Sequence, residues 1–155
     1  MDIQVRAFVE ADRIALRAVF FASRQAAFPW DPPGAHRLGD FDMVTSGERI
    51  LVATETGGAP VGFASIFEPD SFLHNLFVHP TFQRCGVGRA LLASCNKHFS
   101  AAGTLKCLKA NEAAQLFYQS QGWAVRDEVV EETGDYFLMG QLPASHATYT
   151  LTGTT

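Results

Sequence analysis

A short segment with two glycines contains residue types that suit the binding of an anion. It reads Gln83-Arg84-Cys85-Gly86-Val87-Gly88, and Arg89 follows it. A strand is predicted before it and a helix after it, so the first N–H groups of that helix are unpaired at the positive end of its dipole. Glycine lacks the Cβ that would keep a phosphate away, and the two arginines add charge. The alternative is a glycine-rich turn that only joins two elements.

Two better-known phosphate motifs do not fit this segment. A P-loop needs Gly-Lys followed by Ser or Thr, whereas this chain has Gly88-Arg89-Ala90. A dinucleotide-binding fingerprint needs a third small residue where Leu91 stands, and an acidic residue about 20 positions later. That later stretch reads Cys107-Leu108-Lys109. The segment therefore belongs to a different kind of anion site or to none.

Hydrophobic periodicity predicts the elements that position the segment. In the long first helix, helical spacing favours Ile14, Ala18, Phe21 and Gln25 on one face. Asn111 is a helix N-cap and Gly122 a helix stop. The three strands before the segment should form an antiparallel meander, and the whole is a mixed α+β fold. We predict strands at 1–8, 49–55, 61–67, 72–78, 104–110, 123–130 and 135–142, long helices at 10–28, 89–99 and 112–121, and a short helix within 35–46.

Composition limits the class of protein. The 155 residues suit one domain, which we assign to 1–142, with a loose tail at 143–155. A net charge of −4 gives no general attraction to nucleic acid or anionic membrane, and the longest apolar runs are too short to span a bilayer. The three cysteines lack Cys-x-x-Cys spacing, so we expect no disulfide framework, no metal and a cytoplasmic location. Cys95 and Cys107 fall on apolar faces and read as core residues.

The segment and its surroundings resemble the GCN5-related N-acetyltransferase (GNAT) superfamily. That family's signature, Gln/Arg-x-x-Gly-x-Gly/Ala, is complete at 83–88. Asn111 and the stretch 114–123, which contains Phe117-Tyr118 and ends in Gly122-Trp123, resemble the family's Asn-x-x-Ala…Phe-Tyr-x-x-x-Gly-Phe segment. The resemblance implies a central, mostly antiparallel sheet of about seven strands with about four helices, splayed between the fourth and fifth strands.

The resemblance also implies that acetyl-CoA is the co-substrate, with direct acetyl transfer to an amine in a ternary complex. Its pyrophosphate would lie on the segment from Gln83 to Arg89, and its pantetheine arm along Leu76-Phe77-Val78. Asn111 would contact the same arm. A catalytically inactive protein that binds or senses acyl-CoA is the alternative.

Tyr118 occupies the family's general-acid position by resemblance. It follows Asn111 by seven residues, so two helical turns place both on one face. A phenol is protonated at neutral pH and can give its proton to the departing thiolate. The alternative is an anchoring tyrosine whose ring belongs to the core.

The general base is left open by the sequence. Many family members carry a glutamate on the fourth strand, where this chain has Phe72 and His74. Phe72 cannot act as a base. His74 can, and its strand resembles that of a family member with histidine at this position. Alternatively His74 is only hydrogen-bonded, and Glu68 or Asp70 in the preceding turn acts through water.

The acceptor should meet the first helix, the loop after it and the last hairpin. Phe28, Trp30 and Phe41 are the candidate substrate rings, and nearby carboxylates could hold a cationic amine. The alternative is a solvated loop whose rings fill the core. Expected partners are a small-molecule amine or a peptide or protein amine, with no nucleic acid, no membrane and a homodimer allowed.

Overall fold

We describe the protein from a computed structural model, which describes residues 2–143. Within that range the chain forms seven strands and four α-helices, and it divides after Phe99 into two compact units. The predicted mixed α+β fold is therefore confirmed. The predicted splay between the fourth and fifth strands stays a prediction. Most of the expected tail lies outside the described residues. Among the described residues, no helix is both long and apolar enough to cross a membrane.

The first unit is built on four antiparallel strands in the sequential order β1-β2-β3-β4, so the predicted meander is confirmed. The short helix expected within 35–46 is present, and the glycine segment leads into α3. The elements of this unit are β1 (Ile3–Ala7), α1 (Arg13–Ala27), α2 (Asp40–Val44), β2 (Arg49–Glu55), β3 (Pro60–Phe67), β4 (Phe72–Val78) and α3 (Val87–Asn96).

Aromatic rings fill the space between this sheet and α1. Phe63 of β3 lies opposite Phe77 of β4 in the register, and the two rings stack with centroids 6.1 Å apart. Phe20 of α1 meets both rings edge-on, at 5.7 and 4.9 Å. Burying one such side chain contributes about 1.5–3 kcal/mol. The cluster therefore fixes the position of α1 against the middle of β4.

The residues whose spacing places them on one face of α1 are not the ones that the helix buries. Ile14 is 80% exposed, and Ala18 and Gln25 are also exposed. The buried side is formed instead by Leu16, Val19, Phe20 and Ser23. Both sets follow helical spacing, and the set with the larger apolar side chains is the one that packs on the sheet.

The opposite face of the sheet holds α3 at close range. A Cβ placed on Gly62 of β3 would lie 3.0 Å from the carbonyl oxygen of Phe77 and 3.2 Å from Cγ1 of Val87. Gly62 therefore lets the first turn of α3 approach the strands closely. This contact ties the end of the glycine segment to the rigid sheet.

The second unit has three antiparallel strands in the order β5-β7-β6. Its helix α4 begins after Asn111, whose Oδ1 accepts a hydrogen bond from the N–H of Ala114 at 3.2 Å. Gly122 follows the helix with φ of 88°, a left-handed conformation that favours glycine. The predicted cap and stop are thus confirmed. The elements are β5 (Thr104–Leu108), α4 (Glu112–Ser120), β6 (Trp123–Val129) and β7 (Tyr136–Gln141).

Candidate functional site

A short turn connects β4 to the glycine segment, and a hydrogen bond stabilises each end of this turn. Nδ1 of His79 accepts a hydrogen bond from the N–H of Thr81 at 3.2 Å, which caps the turn Pro80–Phe82. Nε2 of Gln83 donates to the carbonyl oxygen of Val78 at 3.1 Å. The Gln83 side chain therefore holds the segment against the end of β4, a structural task that leaves its Oε1 for other partners.

Two left-handed residues shape the segment itself. Gly86 has φ of 82° and Arg84 has φ of 62°. A non-glycine residue in this region is strained, and such residues often occur where a ligand is held. A Cβ on Gly86 would meet nothing within 4 Å, so this glycine is needed for its backbone angle and not to avoid a clash within the protein. Cys85 between them is exposed.

The start of α3 presents an anion-binding surface. Its first helical hydrogen bond runs from the N–H of Ala90 to the carbonyl oxygen of Gly86. The N–H groups of residues 87–89 precede that bond and have no carbonyl partner within the helix. Arg84 and Arg89 are exposed, and the salt bridges of residues 2–143 do not include either. The side chain of Val87 is buried, so only its backbone is available to a ligand.

The strand expected to hold a pantetheine arm pairs with β3 along one edge. Leu76, Phe77 and Val78 lie opposite Ala64, Phe63 and Gly62. Just before them the register shifts: Ser65 pairs with Asn75, and Ile66 pairs with Leu73. His74 is therefore the extra residue of a β-bulge, a distortion that redirects side chains.

His74, one of the candidate bases, has a charged neighbour that the sequence did not reveal. Its Nδ1 lies 2.7 Å from Oε2 of Glu48, which stands just before β2. The His74 side chain is 40% exposed, while that of Glu48 is only 9% exposed. Glu48 lies 26 residues before His74 in the chain, directly after Gly47 in a turn. Nothing in the sequence of that turn indicates a special role for its carboxylate.

The structure places the other two candidate bases in exposed positions. Glu68 accepts a hydrogen bond from Nε of Arg49 at 2.6 Å, in the turn that precedes β4. Glu68 and Glu48 both border an open groove of about 460 Å³. Asp70 is exposed in the same turn as Glu68 and is not among the residues that line the groove.

Phe28 and Trp30 belong to an aromatic wall at the end of α1. Their ring centroids are 5.6 Å apart, and Phe28 also meets Phe77 of β4 edge-on at 6.4 Å. Beside them lies a cavity of about 380 Å³, lined by apolar side chains together with Gln25, Asp31 and His36. Nε2 of His36 is 3.1 Å from Oδ2 of Asp31, at an angle that makes no hydrogen bond.

Phe41 does not occupy the surface position expected of a substrate ring. It is 0% exposed and packs against Phe63 at 5.0 Å in an edge-on contact. That prediction was wrong because α2 turns Phe41 into the core between α1 and the sheet.

The acidic residues of α2, the helix that follows this loop, are already paired. Arg17 and Arg13 hold the pKa of Asp42 below its usual value. The N–H of Arg37 and the guanidinium of Arg24 do the same for Asp40. Among the described residues, Asp31 is the one acidic residue that lines the cavity beside Phe28.

Tyr118 and Asn111 lie two turns apart on α4 of the second unit. Tyr118 is nearly buried, with its ring 5.3 Å from that of Phe117 and 5.9 Å from that of Trp123. Asn111 uses its carbonyl oxygen as the helix cap, and its amide nitrogen remains available for other hydrogen bonds. These contacts hold the ring of Tyr118 rigidly, which both the anchoring and the general-acid interpretations require.

Two of the three cysteines are buried thiols. Burial raises the pKa of Cys95 to about 12 and that of Cys107 to about 11, so both are core thiols as predicted. Among residues 2–143, no group of three or more His, Cys, Asp or Glu side chains is arranged to hold a metal ion.

Three comparisons with known proteins agree. The acetyltransferase (GNAT) domain family matches residues 46–125, which include Glu48, His74, the glycine segment and Tyr118. The L-amino acid N-acyltransferase MnaT of Escherichia coli is 30% identical over 104 residues, which are 58% of this chain and 59% of that protein. This chain therefore spans less than two thirds of that relative's length.

Solved structures give the same picture of the fold. Apo-form YjaB from Escherichia coli has a TM-score of 0.76 and 24% identity, over 93% of this chain and 100% of that one. The PaiA N-acetyltransferase of Thermoplasma acidophilum, in complex with coenzyme A, has a TM-score of 0.75 and 17% identity, over 92% of this chain and 100% of that one. At these identities the likeness shows the fold alone.

Proposed function

Because this chain belongs to the acetyltransferase (GNAT) family, as its sequence predicted, we propose that it transfers the acetyl group of acetyl-CoA directly to an amine in a ternary complex. One observation carries the proposal. The segment Arg84–Arg89 combines a left-handed glycine, three early helix N–H groups and two arginines that make no salt bridge within the described part of the chain, in a protein of net charge −4. Those are the features that bind a pyrophosphate.

Residues outside the glycine segment have features that suit the other parts of acetyl-CoA. The backbone of Leu76-Phe77-Val78 follows the bulge on β4 and runs toward the glycine segment, so it can pair with an extended pantetheine arm. The amide nitrogen of Asn111 can donate a hydrogen bond to the same arm. Gln83 contributes chiefly by holding the segment in place.

The proposed chemistry assigns its proton transfers to two residues, His74 and Tyr118. An acceptor R–NH₃⁺ gives a proton to Nε2 of His74, and the free amine then forms a bond to the acetyl carbonyl carbon. The carbon–sulfur bond breaks, and the thiolate takes a proton from the Tyr118 hydroxyl. Tyr118 regains a proton as the new amide nitrogen loses its second one, directly or through water. Glu68 and Asp70 are weaker candidates for the base because Glu68 is paired with Arg49 and Asp70 is exposed.

The acceptor side favours a cationic amine. The cavity beside Phe28 has apolar walls and one carboxylate, that of Asp31. No lysine or arginine is among the residues that line it, so an ammonium group suits it better than a carboxylate does. An amino acid, as in the name of the relative MnaT, and a peptide or protein amine are the other acceptors to test.

A free-CoA release assay with a panel of amines and acetyl-CoA tests this function. We expect turnover with at least one small cationic amine, and Tyr118→Phe should lower kcat about 10²-fold or more with CoA affinity unchanged. Isothermal titration with CoA is the parallel measurement. CoA binding without turnover on any amine would indicate an inactive acyl-CoA-binding protein, and a normal kcat in Tyr118→Phe would remove the acid role.

The cytoplasmic location, the homodimer and the single domain at 1–142 stay predictions. Size-exclusion chromatography with light scattering on the full chain measures the oligomeric state. Fractionation of the cells that produce the protein measures its location.

A further inference from the structure

The pairing of His74 with Glu48 depends on the β-bulge in β4. In a regular strand, His74 and Asn75 would point to opposite faces of the sheet. Here both reach the region between the end of α2 and the start of β2: Nδ2 of Asn75 donates to the carbonyl oxygen of Val44, the last residue of α2, at 3.3 Å, and His74 meets Glu48. The bulge therefore turns His74 toward a carboxylate that an unbroken register would place out of reach.

Like Asp12, which pairs with Arg6, Glu48 is a paired carboxylate of this unit whose own side chain is almost fully buried. Its partner, His74, is the more exposed of the two, at 40% against 9%. Oε1 of Glu48 is buried and has no hydrogen-bond partner among residues 2–143, while Oε2 meets His74. Burying a carboxylate oxygen without a hydrogen-bond partner is unfavourable, so its presence in the fold points to a compensating role.

The geometry also decides which imidazole nitrogen is free. A carboxylate accepts hydrogen bonds, so Nδ1 of His74 carries the hydrogen and donates to Oε2. The lone pair then lies on Nε2, which has no hydrogen-bond partner within residues 2–143. A carboxylate that fixes the tautomer in this way also stabilises the imidazolium that forms when Nε2 takes a proton.

We propose that Glu48 is a positioning residue that orients His74 and makes Nε2 the proton acceptor for the amine. This inference rests on the proposed acetyl transfer. The proton moves from R–NH₃⁺ to Nε2, the Nδ1–H stays bonded to Glu48, and the resulting imidazolium later releases its proton to water. The other charged residues that line the adjoining groove, Glu68 and Arg49, pair with each other, and Glu48 is the carboxylate that meets His74.

The test compares Glu48→Gln, which keeps the shape and removes the charge, with Glu10→Gln as a matched control. Glu10 is an exposed carboxylate paired with Arg13. We expect Glu48→Gln to lower kcat about 10- to 100-fold with the KM for acetyl-CoA unchanged. Glu10→Gln should match the original protein.

A double-variant cycle and a spectroscopic measurement separate positioning from mere structural support. In a His74→Ala background, Glu48→Gln should cause no further loss of kcat. Losses that multiply would overturn the proposal. Nitrogen-15 NMR of the full chain, with the His74 signals assigned by their absence in His74→Ala, should show the hydrogen on Nδ1 in the original protein. Finding the hydrogen on Nε2 would overturn the proposal, whether or not any amine is acetylated. A failure to acetylate any amine would by itself defeat only the proposed function.

Discussion

Replacing Gly86 by alanine separates the two reasons for a glycine at the start of α3. The residue has φ of 82°, and a Cβ there meets nothing within 4 Å. The whole cost to stability is therefore conformational. A left-handed L-residue costs about 1–2 kcal/mol. The reduced freedom of the unfolded chain returns about 0.4–1 kcal/mol. We expect a net loss of about 1 kcal/mol, which lowers Tm by about 2–4 °C in a domain of this size.

Binding should suffer more than stability. A methyl group on the exposed side of Gly86 would stand where a phosphate meets the backbone, and losing one charge-assisted hydrogen bond costs about 1.5–3 kcal/mol. We therefore expect CoA affinity to fall by a factor of about 10–150. Thermal unfolding by circular dichroism and titration calorimetry with CoA are the two measurements.

The chain offers a matched control in the turn between β2 and β3. Gly57 has φ of 71° and also has nothing within 4 Å of an added Cβ. Gly57→Ala should therefore lower Tm as Gly86→Ala does, with no effect on CoA. Gly86→Asn, which tolerates the left-handed region, should keep Tm near its original value and still bind CoA weakly. If Gly86→Ala weakens CoA binding no more than Gly57→Ala does, then the backbone at Gly86 does not contact the phosphate.

Two further predictions concern the support of the site. The side chain of Arg6 and the N–H of Val9 hold the pKa of Asp12 low, so this carboxylate stabilises the fold above its unfolded pKa and loses that effect as the pH falls through its folded pKa. Asp12→Asn should lower the free energy of unfolding at pH 7, measured by urea unfolding, by about 1–3 kcal/mol. A difference between the two proteins that does not shrink toward pH 3 would contradict this. Gly62→Ala should cost about 1–3 kcal/mol and weaken CoA binding because its Cβ would press on Val87 of α3. Gly39→Ala, which meets nothing, should leave both Tm and CoA binding unchanged.

The elements and the glycine segment were predicted well because their signals are local. The strands β2 and β4 begin and end where alternation placed them, and the cap at Asn111 and the stop at Gly122 depend on residues within one turn. Helical spacing alone does not show which face of α1 is buried, because two sets of residues share that spacing. Only the surface that receives the helix decides which set is buried.

The sequence by itself determined the order of the elements, the anion-binding segment 83–88 and the family to which they point. Each of these depends on backbone angles, hydrogen bonds and apolar spacing between residues close in the chain. The tertiary structure decided that Phe41 is a core ring and that His74 has a buried carboxylate beside it. Glu48 and His74 are 26 residues apart, and they meet through the strand register and one bulge. Spacing along a chain does not encode such a meeting, because it requires the packed sheet.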